Sequence, residues 1–215
     1  MTLKRRILVF VDGYNLYHGI CDEVKKSKGR DNFLKWVDIG KLAVILVGEP
    51  SYEMLGTLYF SAYADHRPTA KGRHRVYVAA LKMQGAVVIM GKFKKRKRRC
   101  KICGKSFIGH EEKETDVNIA IHMMEACYDR SCNEIFLISG DTDMVGPIKL
   151  IKKRFPEITI RILAPPNRGN SELRQIADDF KQITRQHVAD SLLPKAVTDA
   201  GKTITRPPEY DPPKS

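Results

Sequence analysis

ILVFVDGYNLYHG, residues 7–19, sets how the rest of the chain is read. Residues 6–11 are mostly β-branched or aromatic and end at Asp12-Gly13, which reads as a buried strand. Residues 14–26 read as a helix, with Leu16, Ile20 and Val24 recurring every four positions. A strand that runs into a carboxylate, with Asn15 three residues later, has two readings. Asp-Gly and Asn are common turn residues. Alternatively, the strand exists to hold Asp12 in a cleft.

The same alternation repeats along the chain. Asp38 is placed to cap a helix that Gly48 and Pro50 stop. Residues 53–64 form a second strand, and Pro68 opens a helix that runs to about Met83. Residues 86–91 make a third strand. A long helix capped by Thr115 or a neighbour runs to about Tyr128, with Val117, Ile121, Met124 and Tyr128 as its core stripe. Strands over 133–140 and 158–164 flank a helix from about Asp143 to Arg154. A short helix covers 170–180, and KQITRQHV (181–188) is left open as an edge strand. Alternating strands and helices predict an α/β fold: a mainly parallel sheet with helices on both faces. That domain spans residues 1–190. From about Pro194 the chain is proline-rich and poor in apolar residues, and 194–215 is expected to be a disordered tail.

The chain has 215 residues, a net charge of +13 and five cysteines. Such an excess of positive charge favours a polyanionic partner. It is concentrated in KFKKRKRRCK (92–101), where eight of ten residues are Lys or Arg. The basic start followed by apolar residues mimics a secretion signal, but the apolar run stops at Asp12, short of the ~7–15 residues a signal needs. No run approaches the ~20 residues of a membrane span. A cytoplasmic location, reduced thiols and no membrane partner are therefore expected.

In open α/β sheets, ligands bind at the carboxyl ends of the strands, where strand order reverses. Asp12 ends the first strand. Asp141 and Asp143, in LISGDTDMVG, follow the fourth, and Asp116, in KETDVNIAI, starts a helix. Each alone is ordinary turn or helix-start chemistry. Converging carboxylates repel one another and need protons or a cation. Hard oxygen ligands select Mg²⁺ or Mn²⁺, which serve phosphodiester hydrolysis. Asn15 would orient substrate or water. A P-loop, a GxGxxG after the first strand and a GxSxG are all absent.

VFVDGYNLYHG, KETDVNIAI and LISGDTDMVGPIK, in this order and spacing, resemble the NYN-domain family of the PIN-like, FEN-like metal-dependent nucleases. The resemblance covers roughly residues 5–180. It implies a Rossmann-like three-layer α/β/α fold and ribonuclease activity. It carries Asp12, Asn15, Asp116, Asp141 and Asp143 over as the site, with Ser139 and Ser171 as lining. Some PIN-like domains only bind RNA, so a non-catalytic nucleic-acid-binding module is the alternative reading.

The insert, 92–112, is expected to be a basic, Cys-containing hairpin. Its Lys92, Lys94, Lys95, Arg96, Lys97, Arg98, Arg99 and Lys101 would grip a nucleic-acid backbone, with Arg73 and Arg75 extending the patch. RNA is favoured over DNA as the partner, and a homodimer is left open. Cys100-x-x-Cys103-Gly104 is half of a zinc site. It reads as Zn²⁺ completed by His110 and a distant or symmetry-related residue, as a redox-active pair, or as a bare turn.

Overall fold

A computed structural model describes residues 5–48 and 52–213. Pro50 and the first four residues of the basic start lie outside them. Six parallel strands form the central sheet: β1 (Arg5–Asp12), β2 (Tyr52–Ser61), β3 (Val87–Met90), then β6 (Glu134–Ile138), β7 (Thr159–Ala164) and β8 (Asp179–Gln182). The intervening β4 (Lys92–Arg99) and β5 (Ser106–Lys113) pair only with each other. The sheet order is β3-β2-β1-β6-β7-β8, so the chain reverses direction across the sheet between β1 and β6. The carboxyl ends of those two strands open the crevice where an α/β fold binds its ligand.

Each face of the sheet has its own core. Along β1 the side chains alternate. Ile7, Val9 and Val11 pack under α1 (Gly13–Lys26), α2 (Ile39–Val47) and α3 (Pro68–Met83), while Phe10 faces α4 (Thr115–Tyr128) and α5 (Val145–Arg154). Crossovers on opposite faces are what right-handed connections require when the chain first winds one way from β1 and later the other way from β6. The caps follow the sequence. Asp38 accepts the amide of Lys41 at 2.9 Å, and Gly48 ends α2 at φ 69°, a left-handed conformation that glycine adopts without strain.

Three expectations are corrected. In α4 the stripe expected to face the core does so only at Met124, which is partly buried against it: Val117, Ile121 and Tyr128 are exposed, and Ile119, Met123, Ala126 and Cys127 are buried. Both stripes have helical spacing. The buried one continues the row that carries Asp116 to the sheet edge. The helix expected over 170–180 is only α6 (Ser171–Ile176). Asp178 stops it by accepting the amide of Ile160 at 2.8 Å, and β8 pairs with β7 before a short helix α7 (Arg185–Ala189) capped by Thr184.

The tail expected to be disordered is ordered through residue 213. It forms a hairpin, β9 (Ala196–Asp199) with β10 (Lys202–Thr205), and a 3-10 turn at Pro208–Tyr210. Val197 and Tyr210 are buried in the core beneath α3, and the Trp36 indole donates to the Pro194 carbonyl at 2.9 Å. Two apolar anchors landing on an existing core, plus backbone bonds, offset the ordering entropy that the composition alone could not.

Candidate active site

Asp12 closes β1 and is 3% exposed. Its Oδ1 accepts the Asn15 amide at 2.9 Å, capping α1, and its Oδ2 accepts the Ser139 hydroxyl at 3.0 Å. The Ser139 oxygen in turn accepts the amide of Asp141 at 3.1 Å. The Asn15 side-chain oxygen accepts the amide of Gly140 at 3.1 Å. Asp141 caps the short 3-10 turn Thr142–Met144 by accepting the Asp143 amide at 3.0 Å. These bonds stitch the loop after β1 to the loop after β6. Asn15 and Ser139 therefore position the acids; the Ser139 hydroxyl both donates and accepts, while the Asn15 side-chain nitrogen makes no hydrogen bond among the described residues.

Asp12, Asp116 and Asp141 each present a carboxylate oxygen, and the three oxygens lie within 4.8 Å of one another. Among the described residues no Lys or Arg forms an ion pair with any of them. Burial pushes the Asp12 carboxyl up to about 7; the Asn15 and Ser139 bonds oppose this, and the charges of Asp116 and Asp141 add to it. Burial, then Asp141, Glu112 and Asp143, raise Asp116 to about 6. Three hard oxygen donors with no cation of the protein's own make a donor set suited to a small divalent ion.

Asp143 lies at the exposed rim and reaches the cluster through its charge on Asp116. Ser171, the exposed first residue of α6, makes no side-chain hydrogen bond to the acids among the described residues. Glu112 is the residue that sequence reasoning passed over. At the foot of β5, its carboxylate accepts the amide of Thr115 at 3.3 Å and the Thr115 hydroxyl, and so caps the helix that carries Asp116. Its position four residues before Asp116 was the only signal in the sequence.

The basic insert is the expected hairpin. β4 and β5 run antiparallel from Lys92↔Lys113 to Arg99↔Ser106, with Cys100 and Cys103 at the turn. His110 pairs with Lys95, four ladder steps below the Arg99↔Ser106 row, about 13 Å down the arm. The zinc set of Cys100, Cys103 and His110 is therefore not assembled. His110 instead stacks on His66, with ring centroids 3.8 Å apart. The backbone amides of Cys103 and Ile102 hold the Cys100 thiol below its ordinary range. Glu111 accepts ion pairs from Arg96 at 3.1 Å, Arg98 at 3.6 Å and Lys113 at 3.3 Å, and Lys92 pairs with Glu114. Lys94, Lys95, Lys97 and Lys101 are exposed to solvent, while Arg99, also exposed, donates to the Gly104 carbonyl at 2.9 Å and so braces the turn. Arg73 turns away from the arm to Glu209 at 3.4 Å, and Arg75 lies over the Tyr63 ring.

Among the described residues, no helix is long and apolar enough to cross a membrane. No curated protein matches the chain. A crystal structure of a protein of unknown function from Vibrio parahaemolyticus has a similar fold, with a TM-score of 0.55 and 23% identity over 90% of this chain and 99% of that one. The NYN domain family matches residues 6–184, from β1 to just past β8, a stretch that holds Asp12, Glu112, Asp116, Asp141 and Asp143. With that match covering most of its length and a six-stranded parallel sheet beneath it, the chain belongs to the NYN domain family.

Proposed function

We propose that the protein is a Mg²⁺- or Mn²⁺-dependent nuclease that cuts RNA internally. The observation that carries this reading is the trio Asp12, Asp116 and Asp141, whose oxygens lie within 4.8 Å of one another with no cationic side chain to balance them. A bound divalent ion would supply Lewis acidity at a phosphodiester oxygen and lower the pKa of water. The three aspartates would hold it, and Asp143 and Glu112 add negative charge around Asp116. Ser139 and Asn15 keep Asp12 and the Gly140–Asp141 backbone in register. The Ser139 hydroxyl is committed on both sides, so the chain offers no serine nucleophile at this point. The solvent-facing lysines of the hairpin would draw in phosphates that the acids alone would repel.

The test uses labelled single-stranded RNA, linear and circular, with Mn²⁺. Cleavage of both forms by the parent and of neither by Asp141→Asn is the expected result. Equal binding without cleavage by both proteins would leave a non-catalytic RNA-binding module. Cleavage of the linear form alone would mean an end-directed enzyme.

A further inference from the structure

A cavity of about 220 Å³ opens beside the acids, between the start of α1 and the start of α3. Its wall begins at Gly13, the residue after Asp12. Gly13 carries no side chain because the Tyr59 ring lies where one would stand, 2.4 Å from an added Cβ. The cavity and the acidic pit therefore share one segment of backbone.

Aromatic rings dominate the cavity mouth. Tyr14 and Tyr17, one turn apart on α1, are each 43% exposed although both line it. Tyr14 meets His18 at 4.3 Å and Phe93, from the hairpin base, at 6.4 Å between ring centroids. The floor is polar. His74 places its Nε2 3.4 Å from both the Tyr59 and the Ser61 hydroxyls. Burial lowers the His74 imidazole to about 4, so it is neutral at physiological pH and can donate or accept. Lys35 and Arg67 add positive charge at the walls, Lys71 and Arg73 line the cavity while paired to Asp65 and Glu209, and Tyr210 of the ordered tail closes the far side.

We propose that this cavity is a nucleobase subsite, which takes one unstacked base of a single-stranded nucleic acid while its phosphate faces the pit. The inference deepens the nuclease reading and rests on it for the choice of ligand. Rings with free faces suit any base, and a floor of hydroxyls and an imidazole suits a Watson–Crick edge. The volume is below the ~300–1,000 Å³ of sites for drug-sized ligands. One base fits, and a base pair does not. The cationic walls match a phosphodiester chain and argue against an acidic or a purely apolar guest. A strand engaged here has to be unpaired, so single strands and loops are the substrate class.

The experiment is run in EDTA, where no metal-dependent cleavage occurs. The probe is a short single-stranded RNA carrying one 2-aminopurine, read by anisotropy and by base fluorescence. The parent should bind it and quench the base. Tyr14→Ala and Tyr17→Ala, both at partly exposed positions, should each weaken binding about tenfold and relieve the quench, while Tyr14→Phe keeps parental behaviour. A fully paired duplex should compete poorly. Parental affinity for an RNA made abasic at every position in turn would overturn the subsite, and so would equal competition by the duplex. The two readings fail separately. Base-dependent binding without any Mn²⁺-dependent cleavage would sink the nuclease alone. Cleavage that is indifferent to abasic positions and to both alanine variants would sink the subsite alone.

Discussion

Two buried carboxylates stand at opposite ends of the same sheet, and the chain treats them in opposite ways. Glu134 opens β6 and is 1% exposed; Asp12 closes β1 and is 3% exposed. Burial pushes both carboxyls up. At the amino ends of the strands, Glu134 is in contact with the Arg161 guanidinium and lies 3.7 Å from Arg5. Arg161 continues to Asp179 at 3.2 Å and donates to the Tyr52 hydroxyl at 2.8 Å, so one ionic chain ties the strands together across the sheet. At the carboxyl ends, the neighbours of Asp12 are two more aspartates. The same desolvation cost is met by guanidinium groups of the protein at one end. At the other, no cationic side chain among the described residues meets it. The first arrangement is structural, and the second is an unbalanced negative charge that suits a divalent ion.

Substitution at each end should separate the two roles. The largest effect is expected at the amino end. Glu134→Gln leaves Arg5 without its counter-ion and Arg161 with Asp179 alone, and should cost about 3 kcal/mol in urea unfolding, with activity per folded molecule unchanged. An unaltered unfolding midpoint would erase the distinction between the two ends. Asp12→Asn should act with the opposite sign. Its carboxyl is raised from 3.8 to about 7, so the folded state holds the proton more tightly than the unfolded state. The metal-free parent then has this stability in full below about pH 4 and loses it as pH rises through 7. At pH 8 in EDTA the variant should melt several degrees above the parent; at pH 4 the gap should close. Mn²⁺ should raise the melting point of the parent and not that of the variant.

A smaller effect is expected from Ser139→Ala, which removes the bonds to Asp12 and to the Asp141 amide. Calorimetry should show Mn²⁺ binding weakened by about 10–100-fold with the fold intact. The smallest effect per residue belongs to the arm. Replacing Lys94, Lys95 and Lys97 by serine should lower the salt-dependence slope of RNA binding by about 0.7 for each phosphate that is no longer neutralised, with kcat unchanged. A change in kcat would mean that the arm takes part in the chemistry and not only in capture.

The two ends differ in how well the sequence announces them. Strands read from β-branched runs, and acids placed directly after them, put Asp12 and Asp141 at the sheet edge before any fold is drawn. The hairpin is announced by its charge and its Cys-x-x-Cys turn. What hides is what depends on tertiary register. Glu134 looks like any strand-edge acid until Arg161 and Arg5 arrive from two other strands. In α4 the stripe of Val117, Ile121 and Tyr128 is as regular as that of Ile119, Met123 and Ala126, and only the docking of Asp116 decides between them. His110 is near Cys103 in sequence, yet the antiparallel ladder carries it down the arm to His66. The tail reads as disordered because Val197 and Tyr210 are too few to form a core and need one already built.

The Asn15–Gly140 bond also governs how this corner of the molecule can open. The turn after β7 is threaded between two glycines. A Cβ on Gly140 would stand 2.0 Å from the Arg168 carbonyl oxygen, and one on Gly19 would stand 2.8 Å from that of Pro166. Arg168 is also paired to Asp22 of α1 at 3.0 Å. The amide of Gly140 can exchange its hydrogen with solvent only when Asn15 lets go, and this wedge has to lift before the β6 loop can move. The acidic corner thus has no cheap partial opening: it breathes as one unit or not at all.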